Sequence, residues 1–264
     1  MCVNQIAMGQ IICVASQKGG TGKTTTAVNL AASLALMEKH TLLVDCDPLG
    51  NATTGIGIDK GKLTGDLFDA LVGRTYPRDI LTESNLDCLQ VIPARIGLHH
   101  AEKHLADKPE PERNLRNIVR EVSRDYEFTI IDSPPSFGFL TRSALASTDF
   151  LLLPLQYQLF SFEGLAQLLL MVRSIQKELN PMLKIAGIFY TMYRNDSRQR
   201  EIFNTNYLQQ LRNKLLSTVI PWDDTLAEAS DLTRPVALLD MMSKGAIAYM
   251  QLAQELMEVL AGER

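Results

Sequence analysis

The sequence has few of the residues that would direct it to an oxidising compartment or to a membrane. Its 264 residues include only four cysteines, and none of these forms a Cys-x-x-Cys pair or another metal-binding spacing. No uninterrupted apolar run reaches the ~18 residues of a membrane-spanning helix. The amino terminus lacks the basic start and long apolar stretch of a secretory signal. These absences exclude a cysteine metal motif and a membrane span, and we expect a reducing, cytoplasmic compartment.

The chain also lacks an excess of positive charge. Its formal net charge is −4, so the molecule as a whole does not attract nucleic acid, although a local basic face would still do so. Hydrophobic residues make up 46% of the chain and charged residues 21%, which is typical of a globular protein and not of a disordered one. This length is sufficient for one α/β domain with a large core.

Short apolar runs alternate with amphipathic segments along the chain. Several runs are continuously apolar, as expected for strands that are buried on both faces of a parallel sheet. Cys13 and Cys46 stand in such runs and are expected to be buried, inert thiols. The alternation predicts a single doubly wound, mainly parallel α/β sheet with helices on both faces. The predicted strands are 11–15, 41–44, 89–92, 128–131, 150–153, 185–189 and 218–220.

Four amphipathic segments predict helices, at 22–38, 162–178, 198–214 and 243–260. Residues 107–113 are expected to form a surface loop that enters a helix. There is no repeat, low-complexity tract or linker, which indicates one domain. In the last helix, Glu255 and Glu258 are expected to face away from an apolar stripe that consists of Ala246, Met250, Ala253, Met257 and Leu260.

A glycine-rich run follows the first predicted strand and opens the first predicted helix. Residues 19–24 read Gly-Gly-Thr-Gly-Lys-Thr, in the context that a phosphate-binding loop requires. Glycines let backbone N–H groups turn toward phosphate oxygens, and the helix adds the positive end of its dipole. Lys23 supplies a point charge to the β- and γ-phosphates, and the Thr24 hydroxyl is expected to ligate Mg²⁺. The spacing is a deviant one, because the strict P-loop frame would begin at Gln17.

Two predicted strands end in aspartates. Residues 42–48 read Leu-Leu-Val-Asp-Cys-Asp-Pro, and residues 128–135 read Phe-Thr-Ile-Ile-Asp-Ser-Pro-Pro. The carboxyl ends of strands form the edge at which α/β sheets bind ligands. Asp132 resembles the Walker B aspartate, which holds Mg²⁺, usually through water. A single aspartate at a strand end is often only a turn residue, but two such strands with a P-loop favour a nucleotide site.

The order of P-loop, Asp-x-Asp-Pro and Asp-x-Pro-Pro resembles the ParA/Soj-type partition ATPases of the MinD/ParA superfamily. This resemblance implies ATP and Mg²⁺ as cofactors, and a homodimer that holds two nucleotides between its subunits. It also implies slow ATP hydrolysis stimulated by a ParB-like partner, non-specific DNA binding, and a nucleoid-associated protein that segregates or positions a chromosome, plasmid or other cargo. The chain resembles the short type, one ParA-like domain over 1–264 without an amino-terminal helix-turn-helix domain. The similar segments are 17–26, 45–57, 130–135, 154–169, 243–246 and 249–256.

The resemblance also implies roles for individual residues. Lys18, which precedes the glycines, acts in trans on the nucleotide of the partner subunit. Asp47 orients the attacking water, so that Lys18, Lys23 and Asp47 form the catalytic set. Asp45 supports the metal shell and joins Thr24 and Asp132 as the metal set. The expected nucleotide contacts are Lys18, Gly19, Gly20, Thr21, Gly22, Lys23, Thr24, Thr25 and Pro221.

One departure from the family pattern concerns DNA binding. After the strand that ends at Pro221, the family commonly carries arginines in a loop that touches DNA, whereas residues 222–225 of this chain read Trp-Asp-Asp-Thr. Two acids there repel phosphate, and fewer bonds to phosphate mean weaker non-specific binding. A compensating basic set is predicted at Arg194, Arg198, Arg200, Arg212 and Lys214, although a solvated helix face explains these residues equally well. Of this set, Arg194, Arg198 and Arg200 are the predicted DNA contacts. We therefore expect DNA binding that is weaker than is usual in the family and that is lost at a lower salt concentration.

Three other functions agree with part of the sequence. The main alternative is a MinD-like membrane-cycling regulator, which needs a basic amphipathic helix at the carboxyl terminus, but residues 254–264 contain several glutamates. A nitrogenase-reductase-like electron carrier needs cluster-ligating cysteines, but Ser133 stands beside the metal aspartate. A kinase needs an acceptor-binding feature, and none is visible.

Overall fold

Eight strands form one sheet in the computed structural model, which describes residues 9–16, 18–156, 161–194 and 212–263. The strand order is β3-β4-β2-β5-β1-β6-β7-β8, and all neighbours are parallel except β3 and β4. The predicted mainly parallel sheet is confirmed. The antiparallel edge strand β3 was not predicted, because two residues are too few to show a periodic pattern. The strands are β1 (Gln10–Val14), β2 (Thr41–Asp45), β3 (Thr82–Glu83), β4 (Leu89–Ile92), β5 (Phe128–Asp132), β6 (Phe150–Gln156), β7 (Lys184–Tyr193) and β8 (Leu215–Pro221).

Helices connect the strands and cover both faces of the sheet. The predicted helices at 22–38, 162–178 and 243–260 are confirmed as α1, α7 and α10. Of the predicted helix at 198–214, residues 198–211 lie outside the described residues, and Arg212–Lys214 form a 3-10 turn. The expected loop at 107–113 leads into α5. In the described parts, the α-helices are α1 (Lys23–Leu36), α2 (Asn51–Gly55), α3 (Leu67–Leu71), α4 (Ala101–Leu105), α5 (Arg113–Val122), α6 (Phe139–Ser147), α7 (Ser161–Glu178), α8 (Asp224–Asp231), α9 (Val236–Leu239) and α10 (Lys244–Gly262).

Alternate residues of the central strands enter two apolar cores, one on each face of the sheet. In β1, Ile11 and Cys13 belong to the core that includes residues of α3, α5 and α7, whereas Ile12 and Val14 belong to the core under α1 and α10. All four are fully buried, and so is Cys46. This double burial explains the continuous apolar runs, and it confirms the expectation that Cys13 and Cys46 are buried.

The sheet brings the three chemically distinctive segments to one edge. The strand β1 lies between β5 and β6, and its last residue, Val14, is in register with Asp132 at the end of β5. Asp132 is also in register with Asp45 at the end of β2. Because these strands are parallel, the P-loop that follows β1 and both aspartates meet at their carboxyl ends.

At β8, the outermost strand on one side of the described sheet, the structure corrects the prediction for Glu255. Glu255 of α10 does not face away from the protein: its carboxylate accepts hydrogen bonds from the Ser217 amide at 2.6 Å, the Ser217 hydroxyl at 2.9 Å and the Thr218 amide at 2.9 Å. These groups belong to β8, the last strand in the order, whose outer N–H groups need a partner. Glu258 is exposed as expected. Helical periodicity missed the Glu255 contact because it depends on where β8 lies.

Candidate nucleotide and metal site

The P-loop has an open backbone that suits an anion. Gly20 and Gly22 adopt left-handed conformations, with φ of 77° and 85°, which glycine adopts readily. A Cβ added at Gly19 or Gly20 would meet no atom within 4 Å, so there is free space in front of the loop. Gly22 stands at the amino-terminal cap of α1 without a side-chain cap. The amides at the start of α1 therefore suit a phosphate group.

Lys23 is held inside the loop next to two carboxylates. Its side chain is 6% exposed, and its Nζ lies 3.3 Å from the Lys18 carbonyl oxygen, which also accepts from the Thr21 hydroxyl at 3.2 Å. Burial lowers the pKa of Lys23, while the negative charges of Asp132 and Asp47 oppose that shift. A buried ammonium group at this position suits a phosphate, because the negative charge of the phosphate would compensate its positive charge.

Asp132 has the features of a metal ligand. It is fully buried, and its Oδ2 accepts a hydrogen bond from the Thr24 hydroxyl at 2.8 Å. Within the described residues its Oδ1 has no hydrogen-bond partner. Burial, and then the neighbouring Asp45, raise the pKa of Asp132. A hydroxyl and a carboxylate oxygen are hard ligands of the kind that Mg²⁺ prefers. The residues therefore fit Mg²⁺, which would satisfy Oδ1 and favour the ionised carboxylate.

Asp45 fixes the turn that carries Asp47. Its Oδ1 accepts from the Asp47 amide at 3.1 Å, and its Oδ2 accepts from the Thr53 amide at 2.8 Å and the Thr53 hydroxyl at 2.7 Å. Burial raises the pKa of Asp45 to about 6, although the hydrogen bonds from Thr53 oppose this. Asp47 is 6% exposed, and its Oδ1 accepts from the Leu49 amide at 2.9 Å. The geometry shows Asp45 as a support for Asp47; its role in the metal shell stays a prediction.

Sequence reasoning missed two threonines that support the site. Thr53 lies in the segment 45–57, but nothing in its spacing pointed to Asp45. The Thr191 hydroxyl, near the end of β7, donates to the Thr21 carbonyl oxygen at 2.9 Å and is buried with it. Thr191 therefore holds the backbone of the P-loop from 170 residues away, and no local pattern in the sequence indicates such a contact.

A cleft of about 230 Å³ extends from the P-loop toward the end of β8. Gly22 and Thr25 line it on one side, and Pro221, Trp222 and Tyr249 are among its other lining residues. Pro221, which is distant in sequence, thus lines the same cleft as Gly22 and Thr25. Its contact with nucleotide stays a prediction.

The segment 222–225 differs from the loop that the family pattern suggested. The helix α8 begins at Asp224, and Asp223 is its amino-terminal cap. The Asp223 carboxylate accepts from the Thr225 amide at 3.1 Å and the Gly245 amide at 2.7 Å, while Asp224 Oδ1 accepts from the Trp222 indole at 3.2 Å. Both acids therefore have structural partners, because a helix start offers free amides to a short acidic side chain.

Of the predicted DNA contacts, the structure describes only Arg194, because Arg198 and Arg200 lie outside the described residues. Arg194 is exposed. Its guanidinium carbon lies over the Trp222 ring, 4.1 Å from the centroid, which is a cation–π contact. Arg194 thus contacts a residue that lines the cleft, and its role in DNA binding stays a prediction.

A P-loop after a central parallel strand, with carboxylates at the ends of two nearby strands, defines a P-loop nucleotide-binding protein. Residues 9–185 match the family model AAA_31, described as an AAA domain. The chain is 40% identical to the chromosome partitioning protein ParA of Myxococcus xanthus, over 95% of this chain and 89% of that protein. It is 42% identical to the sporulation initiation inhibitor protein Soj of Bacillus subtilis, over 94% of this chain and 98% of that protein. The chain belongs to the ParA/Soj family of ATPases.

A solved structure has the same fold as this chain. Cobyrinic acid a,c-diamide synthase from Mycobacterium smegmatis, with a bound ATP analog and magnesium, has a TM-score of 0.83 and 30% identity to this chain. The similarity covers 97% of both chains. In that protein, the same fold therefore binds an ATP analog and magnesium together.

Proposed function

We propose that this protein is an ATPase that dimerises with ATP and segregates or positions a chromosome, plasmid or other cargo. The observation that carries the proposal is the arrangement of Thr24 and Asp132 beside Lys23. The Thr24 hydroxyl donates to one oxygen of a fully buried carboxylate, whose other oxygen has no partner in the described parts of the chain. An unpartnered buried oxygen is costly unless a ligand satisfies it, and MgATP satisfies the cation and anion requirements of this site together.

The residues divide the binding task between them. The backbone at 19–24 and the start of α1 hold the phosphates, and Lys23 neutralises the charge of the β- and γ-phosphates. Thr24 and Asp132 would hold Mg²⁺, with Asp45 as support; when bound, the ion neutralises charge that develops on the phosphate oxygens. Pro221 contacts the nucleotide from the other side of the cleft.

Hydrolysis requires an oriented water and additional positive charge. Asp47 accepts a proton or a hydrogen bond from the attacking water, and the turn held by Asp45 fixes its position. Lys18 reaches the nucleotide of the partner subunit, so the complete catalytic site exists only in the dimer. We therefore expect slow turnover in the absence of a partner and stimulation of turnover by a ParB-like protein.

The relative named as a chromosome partitioning protein supports a role that involves the chromosome, and we place the protein in the cytoplasm in association with the nucleoid. The dimer binds DNA without sequence preference, and Arg194, Arg198 and Arg200 are the proposed contacts. Two copies of a weak basic patch on one dimer act together because the second contact is intramolecular. Each dimer then couples its nucleotide state to its attachment to DNA.

The test is a salt titration of binding to duplexes of random sequence, with ATP and with ADP. We expect binding with ATP only, and a change in salt slope of ~0.9 for each phosphate group that a variant no longer neutralises. Charge reversal at Arg198 and Arg200 should flatten the slope for all sequences alike. Arg124→Glu is the matched control. Arg124 is exposed and lies just before β5, at the amino end of this strand, whereas the P-loop and the aspartates lie at the carboxyl ends. If the wild type shows no ATP-dependent binding to DNA even at low salt, DNA is removed from the proposal. A cellular surface other than DNA would then be the better candidate for attachment.

The structure disfavours the MinD-like alternative. The apolar face of α10, which includes Leu252, Leu256 and Leu260, is fully buried against the body of the protein, so this helix has no free apolar face for a bilayer. Among the helices of the described residues, none is long and apolar enough to cross a membrane.

A further inference from the structure

Trp222 is the single tryptophan of the chain, and it lies at the nucleotide cleft with 50% of its surface exposed. It follows β8 directly and lines the cleft of about 230 Å³ that Gly22 and Thr25 of the P-loop region also line. A large aromatic side chain gains from being covered, because burial of its ring removes apolar surface from water. The indole is therefore a wall of the cleft whose exposed surface suits an aromatic ligand.

Three contacts fix the orientation of the indole. The Trp222 amide donates to the Tyr193 carbonyl oxygen at 2.9 Å, and the indole Nε1 donates to Asp224 Oδ1 at 3.2 Å. The Arg194 guanidinium lies over the ring, and Arg194 is not among the residues that line the cleft. Arg194 therefore contacts the ring without lining the cleft, and the polar Nε1–H of the indole already has an acceptor in Asp224.

Charge decides which end of a nucleotide this part of the cleft accepts. Asp223 and Asp224 line it together with Trp222, so an anionic group there would meet two carboxylates. The uncapped amides at the start of α1 and Lys23 belong to the P-loop region, whose Gly22 and Thr25 line the same cleft. A ligand with one anionic end and one flat, uncharged end fits the two halves of the cleft, and a nucleoside triphosphate has this form.

We propose that Trp222 stacks on the base of the bound nucleotide and that Arg194 is a positioning residue that holds the indole in place. This inference rests on the proposed function, since it takes phosphate binding at the P-loop as given. Stacking between a base and an aromatic side chain contributes enough to change affinity by about 10-fold or more. The arginine over the ring restricts the indole before the base arrives, which lowers the ordering cost of binding.

The test compares ATP with inorganic tripolyphosphate, which has the charge of the nucleotide but no base. Calorimetry should show that Trp222→Leu and Trp222→Ala weaken ATP binding about 10-fold, that Trp222→Phe recovers most of the affinity, and that tripolyphosphate affinity is unchanged. Arg194→Met, which keeps the length of the side chain, should weaken ATP binding by a smaller factor. Tyr76→Ala, at an aromatic residue with 78% exposure that does not line the cleft, is the matched control and should bind ATP normally.

The single tryptophan gives a second readout. ATP should change the tryptophan emission of the wild type, whereas tripolyphosphate should displace ATP and reverse the change. Equal ATP affinity in the wild type, Trp222→Leu and Trp222→Ala would overturn the stacking role and leave the nucleotide site intact. An equal loss of tripolyphosphate affinity in Trp222→Ala would also overturn it, since the residue would then only support the fold of the cleft. A wild type that binds no ATP would contradict the proposed function itself.

Discussion

The two ends of the nucleotide cleft are built in different ways. At the phosphate end, Lys23 and Asp132 are almost completely buried, and a buried charge is tolerated only with specific partners. At the base end, Trp222 is half exposed and Arg194 is exposed, so a change of side chain there has a small desolvation cost. Burial thus makes replacement of a side chain more costly at the phosphate end than at the exposed end. This chain departs from the family pattern at the exposed end, in residues 222–225.

The largest expected effect is at the phosphate end. Lys23→Ala should abolish MgATP binding, because it removes the charge that opposes the β- and γ-phosphates. Calorimetric titration with MgATP measures this directly. Lys62→Ala is the control, since the Lys62 side chain is 83% exposed and its replacement should have no effect. Normal ATP affinity in Lys23→Ala would contradict the assignment of the phosphate site and remove the contrast between the two ends.

Asp47→Ala separates binding from hydrolysis at the same end. We expect the variant to bind ATP and to accumulate as a dimer, with hydrolysis reduced by about 100-fold or more, because the carboxylate orients water and does not hold nucleotide. Sedimentation with ATP and a phosphate-release assay check both halves of this expectation. A monomer with ordinary turnover is the result that would rule out the proposed role of Asp47.

Lys18→Ala tests whether the phosphate end is complete in one subunit. The variant should retain nucleotide but lose ATP-driven dimerisation or hydrolysis, since its charge is proposed to act on the partner's site. Mixing it with Asp47→Ala subunits should produce dimers in which one of the two sites recovers activity. A catalytic defect that the mixed dimers do not change would count against action in trans.

The smallest effect is expected at the base end. Asp223→Ala removes the cap of α8 and the hydrogen bond from the Gly245 amide, so it should lower the free energy of unfolding by about 1–3 kcal/mol. Asp223→Asn, which keeps an acceptor oxygen, should lose less. Urea unfolding measures both variants. An Asp223→Ala protein as stable as the wild type would show that these hydrogen bonds contribute nothing to the free energy of unfolding. The presence of Asp223 and Asp224 in this segment would then need another explanation.

The effect of Asp223 should also depend on pH. Burial by itself would raise the pKa of this carboxyl, but the hydrogen bonds from the Gly245 and Thr225 amides hold it below its ordinary value. A group with a lowered pKa in the folded state stabilises the protein above its unfolded pKa of ~3.9, and this stabilisation is lost as the pH falls through the folded value. The difference in stability between the wild type and Asp223→Asn should therefore narrow in acid.

Much of the phosphate end could be predicted from the sequence because its signals are local. The run at 19–24 lies between a strand and a helix, and Asp45 and Asp132 each end an apolar strand. In a parallel sheet such positions meet at one edge whatever the exact strand order. The cap of α8 at Asp223 was also a local signal, since aspartate is a common cap, but the family pattern of a DNA-contacting loop led to a different prediction.

The sequence by itself determined the class of fold, the P-loop, and the aspartates at the strand ends, because these depend on spacing along the chain. Only the tertiary structure decided that Thr53 holds Asp45, that Thr191 holds the P-loop, that Glu255 covers the edge of β8, and that Arg194 stacks on Trp222. Each of these is a contact between side chains and groups on different elements. Such contacts arise from strand order and register, which local periodicity does not contain.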